Sequence, residues 1–485
     1  MVKITPSVSA PIVSAEAAGK VYTFAGLPLS TGITYALLFA ICTWLYSSLW
    51  SGAPFIVPDS PSYVRAAQDL ADFRVDDLNS RPPGYPLLLV FTGFVKGAQR
   101  PLFYTSLILH FVSVWLIAAL LHALGLRPFW LVSFAAVLLL PPYVEYSAYV
   151  LSDNLSTFLL VVSFVALVFW FLRPRNTDRW LLLSGIAMGC SALTRPTYQV
   201  LGLVATGFLF IARWAIGDQK KFTYRTCAKA SAILLASSAL LIGSYGLLNY
   251  VKFNFFGIYP MTGFNFSTRT VRFLERLPNE YAAEREALIK ARDAVLVKRD
   301  GDHTAYLSYW KAVPELERIT GLKPLPDLSL YLLRLHLLLI KKAPLNYLQE
   351  VFISFSNYWL PSATEVASMN STALHIVWVA LHFGMLALFL LQLVVICGLA
   401  VFGLSKRLFL GVTEFQMDTT LFSAQVFAYF LAGTIVLYNA LATSMVEVGD
   451  PRYRIPTEPL IIFMCFLGLF LWRQFLIHPR FRFAV

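Results

Sequence analysis

Apolar residues fall along this chain in long, nearly uncharged blocks, near positions 31–50, 101–124, 128–142, 154–172, 180–194, 196–212, 230–250, 372–404, 420–443 and 456–472. At 1.5 Å per residue most of them can cross about 30 Å of hydrocarbon as a helix. They predict about ten transmembrane helices. The blocks at 128–142 and 180–194 fall below the roughly 17 residues a crossing needs, so they extend into their flanks or thin the bilayer locally. A further apolar stretch, 85–95, follows Pro82, Pro83 and Gly84, contains Pro86 and is too short to span.

With that stretch left out, the polar connections alternate in character. One set collects Arg127, then Arg173, Arg175 and Arg179, then Arg213, Lys220, Lys221 and Arg225, then Lys406 and Arg407, then Arg473, Arg480 and Arg482. The positive-inside rule assigns this set to the cytoplasm. The other set, residues 51–100, 143–153, the Arg195 turn, 251–371 and 444–455, is then expected to face the periplasm or exterior, with both termini inside. The organisation expected is a cytoplasmic tail over 1–30, an N-terminal transmembrane module over 31–250 whose outer loops 51–100 and 143–153 carry the chemistry, an outer cap over 251–371, and C-terminal transmembrane helices over 372–485.

Within the cap, Glu280, Glu284, Arg285, Glu286, Lys290, Arg292 and Asp293 recur at helical spacing, which reads as a solvated helix. Residues 330–339, with Arg334 and His336 and followed by Lys341, Lys342 and Pro344, fit either an interfacial helix or a core helix of the cap.

Composition agrees with this picture. The chain has 485 residues, 58% hydrophobic and 14% charged, against about 45–50% and about 25% in soluble domains. A soluble enzyme is excluded; the fold class is all-α integral membrane. The formal charge of +12 is spread over short loops and is read as topology, not as a nucleic-acid surface. The five cysteines are scattered without a CxxC pair, which predicts neither a disulfide framework nor a zinc site. There is no Walker or GxGxxG loop and no internal repeat, so an ATP-driven pump has no support.

The chemistry concentrates in the second set of loops. The first reads Pro58-Asp59-Ser60-Pro61-Ser62-Tyr63 and continues, after an acidic stretch, to Arg81-Pro82-Pro83-Gly84-Tyr85-Pro86. Asp59 lies a few residues beyond the first span, where a carboxylate can meet a lipid-linked substrate and act as a base; the alternative is a solvated aspartate capping the next helix. The second loop ends Leu151-Ser152-Asp153-Asn154, where Asp153 either caps the fourth span or joins Asp59 in positioning an acceptor or holding a cation. Arg195 stands in the turn Thr194-Arg195-Pro196-Thr197-Tyr198, either as an interhelical partner or as part of a site. The last loop, Glu447-Val448-Gly449-Asp450-Pro451-Arg452-Tyr453-Arg454-Ile455-Pro456, puts two arginines on the side otherwise poor in them. A bound phosphate would account for them through charge-assisted hydrogen bonds, and so would snorkelling to lipid phosphates.

An Asp after the first span, Arg-Pro-Pro-Gly-Tyr-Pro some 20 residues on, Ser-Asp before the fourth span, an Arg-Pro turn, and Arg-Tyr-Arg-x-Pro before a late span together resemble the GT-C glycosyltransferases. The nearest branch is the protein O-mannosyltransferases and the lipid A aminoarabinose transferases. The likeness covers residues 51–198 and the last 40 or so; the cap matches in placement alone. It implies a sugar donor on a polyprenyl phosphate, with Asp59 as the catalytic base and Asp153 near the acceptor or a metal. It further implies Arg81, Arg452 and Arg454 as phosphate ligands, with Tyr63 and Tyr85 lining the pocket; Arg195 and Tyr453 join the candidate donor site. Where the O-mannosyltransferases carry Asp-Glu this chain has Asp59-Ser60, which favours a lipid or glycan acceptor over a protein.

The expectation is therefore an inverting membrane glycosyltransferase that moves a sugar from a polyprenyl-phosphate donor to lipid A, another envelope lipid or a glycan at the outer face of a bacterial inner membrane. A polyprenyl phosphate leaves readily, so one base and a few arginines suffice. No cofactor is required; two outer carboxylates permit a divalent metal without demanding one. Membrane lipids are partners and nucleic acid is not. The rivals are a flippase for lipid-linked glycans and an O-antigen-type ligase. Transporters usually carry ionisable groups and broken helices at the midplane, whereas here the spans lack charge apart from Glu458 near one end.

Overall fold

The computed structural model describes residues 27–50, 52–74, 80–173, 177–216, 222–296, 303–361, 372–410, 420–447 and 449–477. Most of the expected N-terminal tail lies outside them, as do Asp76, Asp77, Arg175, Lys220, Lys221, Arg480 and Arg482.

Among the described residues the structure is helical throughout. The N-terminal half runs α1 (Leu29–Leu49), α2 (Ser60–Ala71), α3 (Gly84–Phe91), α4 (Gln99–Ala123), α5 (Pro128–Leu138), α6 (Asp153–Leu172), α7 (Thr177–Thr194), α8 (Leu201–Ile216) and α9 (Tyr224–Phe253). The cap follows as α10 (Thr262–Thr270), α11 (Ala282–Leu296), α12 (His303–Thr320), α13 (Ser329–Lys342) and α14 (Pro344–Tyr358). The chain ends with α15 (Thr372–Leu410), α16 (Thr420–Val446) and α17 (Glu458–Ile477).

Every apolar block of the sequence forms a helix, though among the described residues not all of these helices have the length and apolarity of a span. Eight helices among the described residues are long and apolar enough to span, and a ninth arises if the pair Pro128–Leu138 and Pro141–Ala148, bent by 64°, counts as one broken span. Pro141 and Pro142 follow the end of α5 and redirect the chain there. The remaining block, α7, has 18 residues and carries Asp178 and Arg179 in its first turn, so it reaches about 27 Å, just short of the hydrocarbon thickness. The stretch after Pro82 forms α3, eight residues long and no span.

The spans are not equivalent. Only 17% of the apolar window of α1 is buried inside the protein, against 78% for Pro451–Gln474. The last span therefore runs through the middle of the bundle, flanked by aromatic contacts such as Phe164 on Phe463, while α1 faces outward. Whatever chemistry the loop before α17 carries is thus set on a central element.

The cap has a core of its own. On α13, Leu332, Leu335, His336 and Leu339 recur at i, i+3, i+4 and i+7 and are buried, while Leu330, Arg334 and Leu337 are exposed. The helix therefore sits as a core element of the cap, packed with Phe264, Leu274, Leu288, Tyr309 and Leu316. On α11, Ala287, Leu288 and Ala291 face this core while Glu286 and Lys290 stay in solvent.

Candidate active site

The loop segments that charge alternation places on one side meet around one cavity of about 1740 Å³. Its wall draws on 57–69, 80–82, 146–151, 195–200, the cap, 438–447 and 449–453. Asp59, Arg81, Arg195 and Arg452 all line it.

Asp59 stands at the start of α2, but its carboxylate makes no capping bond to the helix. Ser60 fixes the turn instead: its hydroxyl accepts from the Val57 amide at 3.0 Å and donates to the Val150 carbonyl at 3.0 Å. The Phe55 amide donates to Ala148 and the Val150 amide to Phe55, tying the first loop to the second. With the backbone anchored this way, the Asp59 carboxylate is free to turn to the cavity, where Oδ1 accepts from Arg81 Nη2 at 2.7 Å and Oδ2 from Arg452 Nη1 at 2.9 Å.

Arg81 is brought in by α3. A Cβ on Gly84 would lie 2.5 Å from the Thr194 hydroxyl and 2.7 Å from the Leu193 carbonyl, so only glycine lets this segment close on the end of α7. Arg81 Nε donates to the Ser62 hydroxyl at 2.8 Å, and its guanidinium lies over the Tyr63 ring at 4.4 Å. The Tyr63 hydroxyl pairs with Ser152 at 3.0 Å. Tyr85 packs edge-on to Tyr63 from behind, 1% exposed and away from the cavity wall; burial pushes its phenol well up, so it stays protonated.

Asp153 is fully buried, also behind the wall. Its carboxylate accepts from Arg195 Nη1 at 2.6 Å and from Arg452 Nε at 3.4 Å. A buried polar group needs partners, and Asp153 has two arginines. Arg452 thus lies between the two carboxylates, touching both, in the position a bridging cation would take. No three His, Cys, Asp or Glu side chains come together at metal-ligand distances among the described residues. Arg195 rests over the Tyr453 ring at 5.3 Å.

Of the residues named from sequence, the network joins Asp59, Tyr63, Arg81, Asp153, Arg195, Arg452 and Tyr453. Arg454 lies elsewhere. It is 1% exposed, pairs with Glu458 one turn on, and donates to the carbonyls of Tyr358 at 2.6 Å and Leu360 at 2.9 Å. The Arg-Tyr-Arg run is a three-ten turn, Pro451–Thr457, in which residues two apart point about 120° apart. One arginine therefore faces the cavity and the other the protein.

Within this network three guanidinium groups face two carboxylates. Burial by itself would raise the Asp59 carboxyl, but Arg81 and Arg452 outweigh it and hold it well below the usual carboxylate range. Guanidinium groups so placed can also take up an anion from the cavity, and two of them are held by the Asp59 carboxylate. Sequence reading gives Ser60 and Ser152 no part in fixing the loops, and it does not pair Asn265 with Glu447 on the wall of the same cavity, because no motif joins positions 182 residues apart.

No known protein family matches the sequence, and no curated protein matches it. Among solved structures the chain is similar to an archaeal oligosaccharyltransferase, AglB from Archaeoglobus fulgidus, in complex with an inhibitory peptide and a dolichol-phosphate, with 13% identity and a TM-score of 0.49. That similarity covers 94% of this chain and 52% of the other, so the chain spans about half the length of that protein. It is also similar to ArnT from Cupriavidus metallidurans bound to undecaprenyl phosphate, with 12% identity, a TM-score of 0.33, and coverage of 85% and 77%.

Proposed function

We propose that this chain is a membrane glycosyltransferase of GT-C type that transfers a sugar from a polyprenyl phosphate to a lipid or glycan acceptor, on the outer face of a bacterial inner membrane. One observation carries the reading: Asp59 on the wall of a cavity beside helices able to span a membrane, gripped by two arginines drawn from positions 81 and 452.

Asp59 as it stands is a poor base, because the two guanidinium groups stabilise its ionised form. A phosphodiester entering the cavity offers the same arginines a better bidentate partner. As Arg81 and Arg452 turn to the phosphate, Asp59 loses their stabilisation and its proton affinity rises toward that of an ordinary carboxylate. Asp153 keeps hold of Arg195 and Arg452 from behind, so the cations do not swing away. The acceptor hydroxyl then gives its proton to Asp59 while its oxygen forms a bond to the anomeric carbon. The bond from that carbon to the phosphate oxygen breaks, and its electron pair leaves with the polyprenyl phosphate, whose charge the arginines neutralise. Attack opposite the leaving phosphate inverts the anomeric centre. The guanidinium groups supply the positive charge, and the step needs no metal.

The test is turnover by purified protein in nanodiscs supplied with a radiolabelled polyprenyl-phosphate sugar and extracted envelope lipids. Release of free polyprenyl phosphate by the wild type and its loss in Asp59→Asn are expected. Full release by Asp59→Asn would remove the base, and binding without release across a range of acceptors would favour a flippase.

A further inference from the structure

The cavity that Asp59 lines carries a second polar group with no part in the scheme above. Glu447, Asn265 and Tyr259 all line the wall. Asn265 Nδ2 donates to Glu447 Oε1 at 2.8 Å and reaches the Tyr259 hydroxyl at 3.1 Å. The Tyr453 hydroxyl bonds to Glu447 as well.

The backbone around Glu447 is fastened without help from its side chain. Tyr347 donates to the Met445 carbonyl at 2.9 Å, Thr268 to Val446 at 3.2 Å and Ser354 to Glu447 at 3.1 Å. Gly449 lies so close to α14 that a Cβ there would fall 1.8 Å from the Ser354 carbonyl oxygen. Cap and bundle are therefore already joined here, and holding them together does not call for a carboxylate. What the fastening does achieve is a Glu447 side chain set rigidly on the cavity wall.

We propose that Glu447, Asn265 and Tyr259 form a subsite for the hydroxyl or amino groups of the glycosyl unit carried by the lipid phosphate. The proposal rests on the donor reading above. A carboxylate only accepts hydrogen bonds and offers about four lone-pair directions, so after Asn265 and Tyr453 it has capacity for a ligand that donates. A second anion would be repelled; a polyhydroxylated or amino-bearing ring would not. Tyr453 sets the spacing, with its hydroxyl on Glu447 and its ring under Arg195. A phosphate on the arginines and a sugar on Glu447 are thus separated by one tyrosyl ring. Trp310, stacked on Phe264 with centroids 4.3 Å apart, adds a rigid aromatic wall to the same cavity.

The test compares binding of bare undecaprenyl phosphate with undecaprenyl phosphate carrying a hexose, a pentose or an amino sugar, in nanodiscs. Wild type is expected to bind one glycosylated lipid more tightly than the bare one, and Glu447→Gln to weaken that lipid about tenfold while leaving bare-lipid binding within about twofold. Asn265→Ala is expected to move in the same direction, and it carries the test if Glu447→Gln does not fold. Arg452→Ala, by contrast, is expected to weaken both lipids. Equal loss on bare and glycosylated lipid in the Glu447 and Asn265 variants, or no loss on either, overturns the subsite. A wild type that binds bare and glycosylated lipid alike also overturns it while leaving the phosphate reading in place; one that binds neither overturns both.

Discussion

Arg452 and Arg454 share one three-ten turn, and each meets acidic and polar partners, yet they belong to different regions of the molecule. Around Arg454 the protein closes: side-chain exposure is 2% for the arginine and 6% for Glu458, and two carbonyls take further donors. Around Arg452 it opens: Asp59, its partner, is 34% exposed to the cavity, and a second and third arginine crowd the same pair of carboxylates. A sealed, locally balanced ion pair holds a helix start in place. An open cluster in which three arginines share two carboxylates is, under the proposed function, arranged for an anion that is not part of the protein.

The sealed region should break hardest. Arg454→Ala leaves Glu458 buried without its cation, which costs about 3–5 kcal/mol where a buried pair loses one partner; a large fall in thermal midpoint in detergent is expected. Replacing both residues by Met and Leu should be far milder, and equal damage from the single and the double change would contradict the sealed-pair account.

In the open region the effect should fall on chemistry. Asp59→Asn is expected to keep the fold and lower turnover by a factor on the order of 10²–10⁴, the contribution typical of a positioned base. Arg452→Ala should weaken polyprenyl-phosphate binding by about 10- to 100-fold, as expected for a lost charge-assisted bond, with a smaller thermal shift than Arg454→Ala because cavity water reaches Asp59. The reverse order of thermal shifts would erase the distinction between the two arginines.

The pH dependence separates free from loaded protein. Because the Asp59 carboxyl is held low, the stability from its ion pairs is fully present above the unfolded value of about 3.9 and is lost only as pH falls through the lower folded value. Asp59 therefore gives no acid loss of stability between pH 4 and 7. Under the competition scheme the acid limb of kcat, which reports the loaded protein, should lie at higher pH than that of kcat/KM, which reports the free protein. Coincident limbs would contradict it. The smallest effect is expected from Tyr63→Phe, which keeps the ring under Arg81 and loses the hydroxyl's bond to Ser152 and its longer contact with Arg81 Nη1, each worth about 1 kcal/mol or less.

The two regions also show what a sequence can and cannot carry. Apolar blocks are local, and each became a helix; that α7 stops short and α5 breaks near Pro141 follows from Asp178, Arg179 and the proline pair, which are legible once the block is read with its flanks. Charge alternation grouped loops that do meet, and with them Asp59, Arg81, Arg195 and Arg452. Two residues assigned to the pocket lie elsewhere, because direction depends on backbone winding and depth: Arg454 is turned away by the three-ten geometry, and Tyr85 sits one layer behind Tyr63. Asp153 lies behind the cavity wall and is joined to Asp59 by Arg452, which touches both. The cap helix α13, open between membrane surface and core, is decided by Phe264, Leu288 and Leu316 from other elements, contacts that no local pattern contains.

The central claim is that Asp59 and a lipid phosphate compete for the same two arginines. Isotope-edited infrared titration of the Asp59 carboxyl, assigned by difference against Asp59→Asn, in nanodiscs with and without undecaprenyl phosphate, measures this directly. The carboxyl should titrate well below the ordinary range in the free protein and move upward when the lipid phosphate binds; a carboxyl that titrates at the same pH in both, with the lipid demonstrably bound, would contradict it.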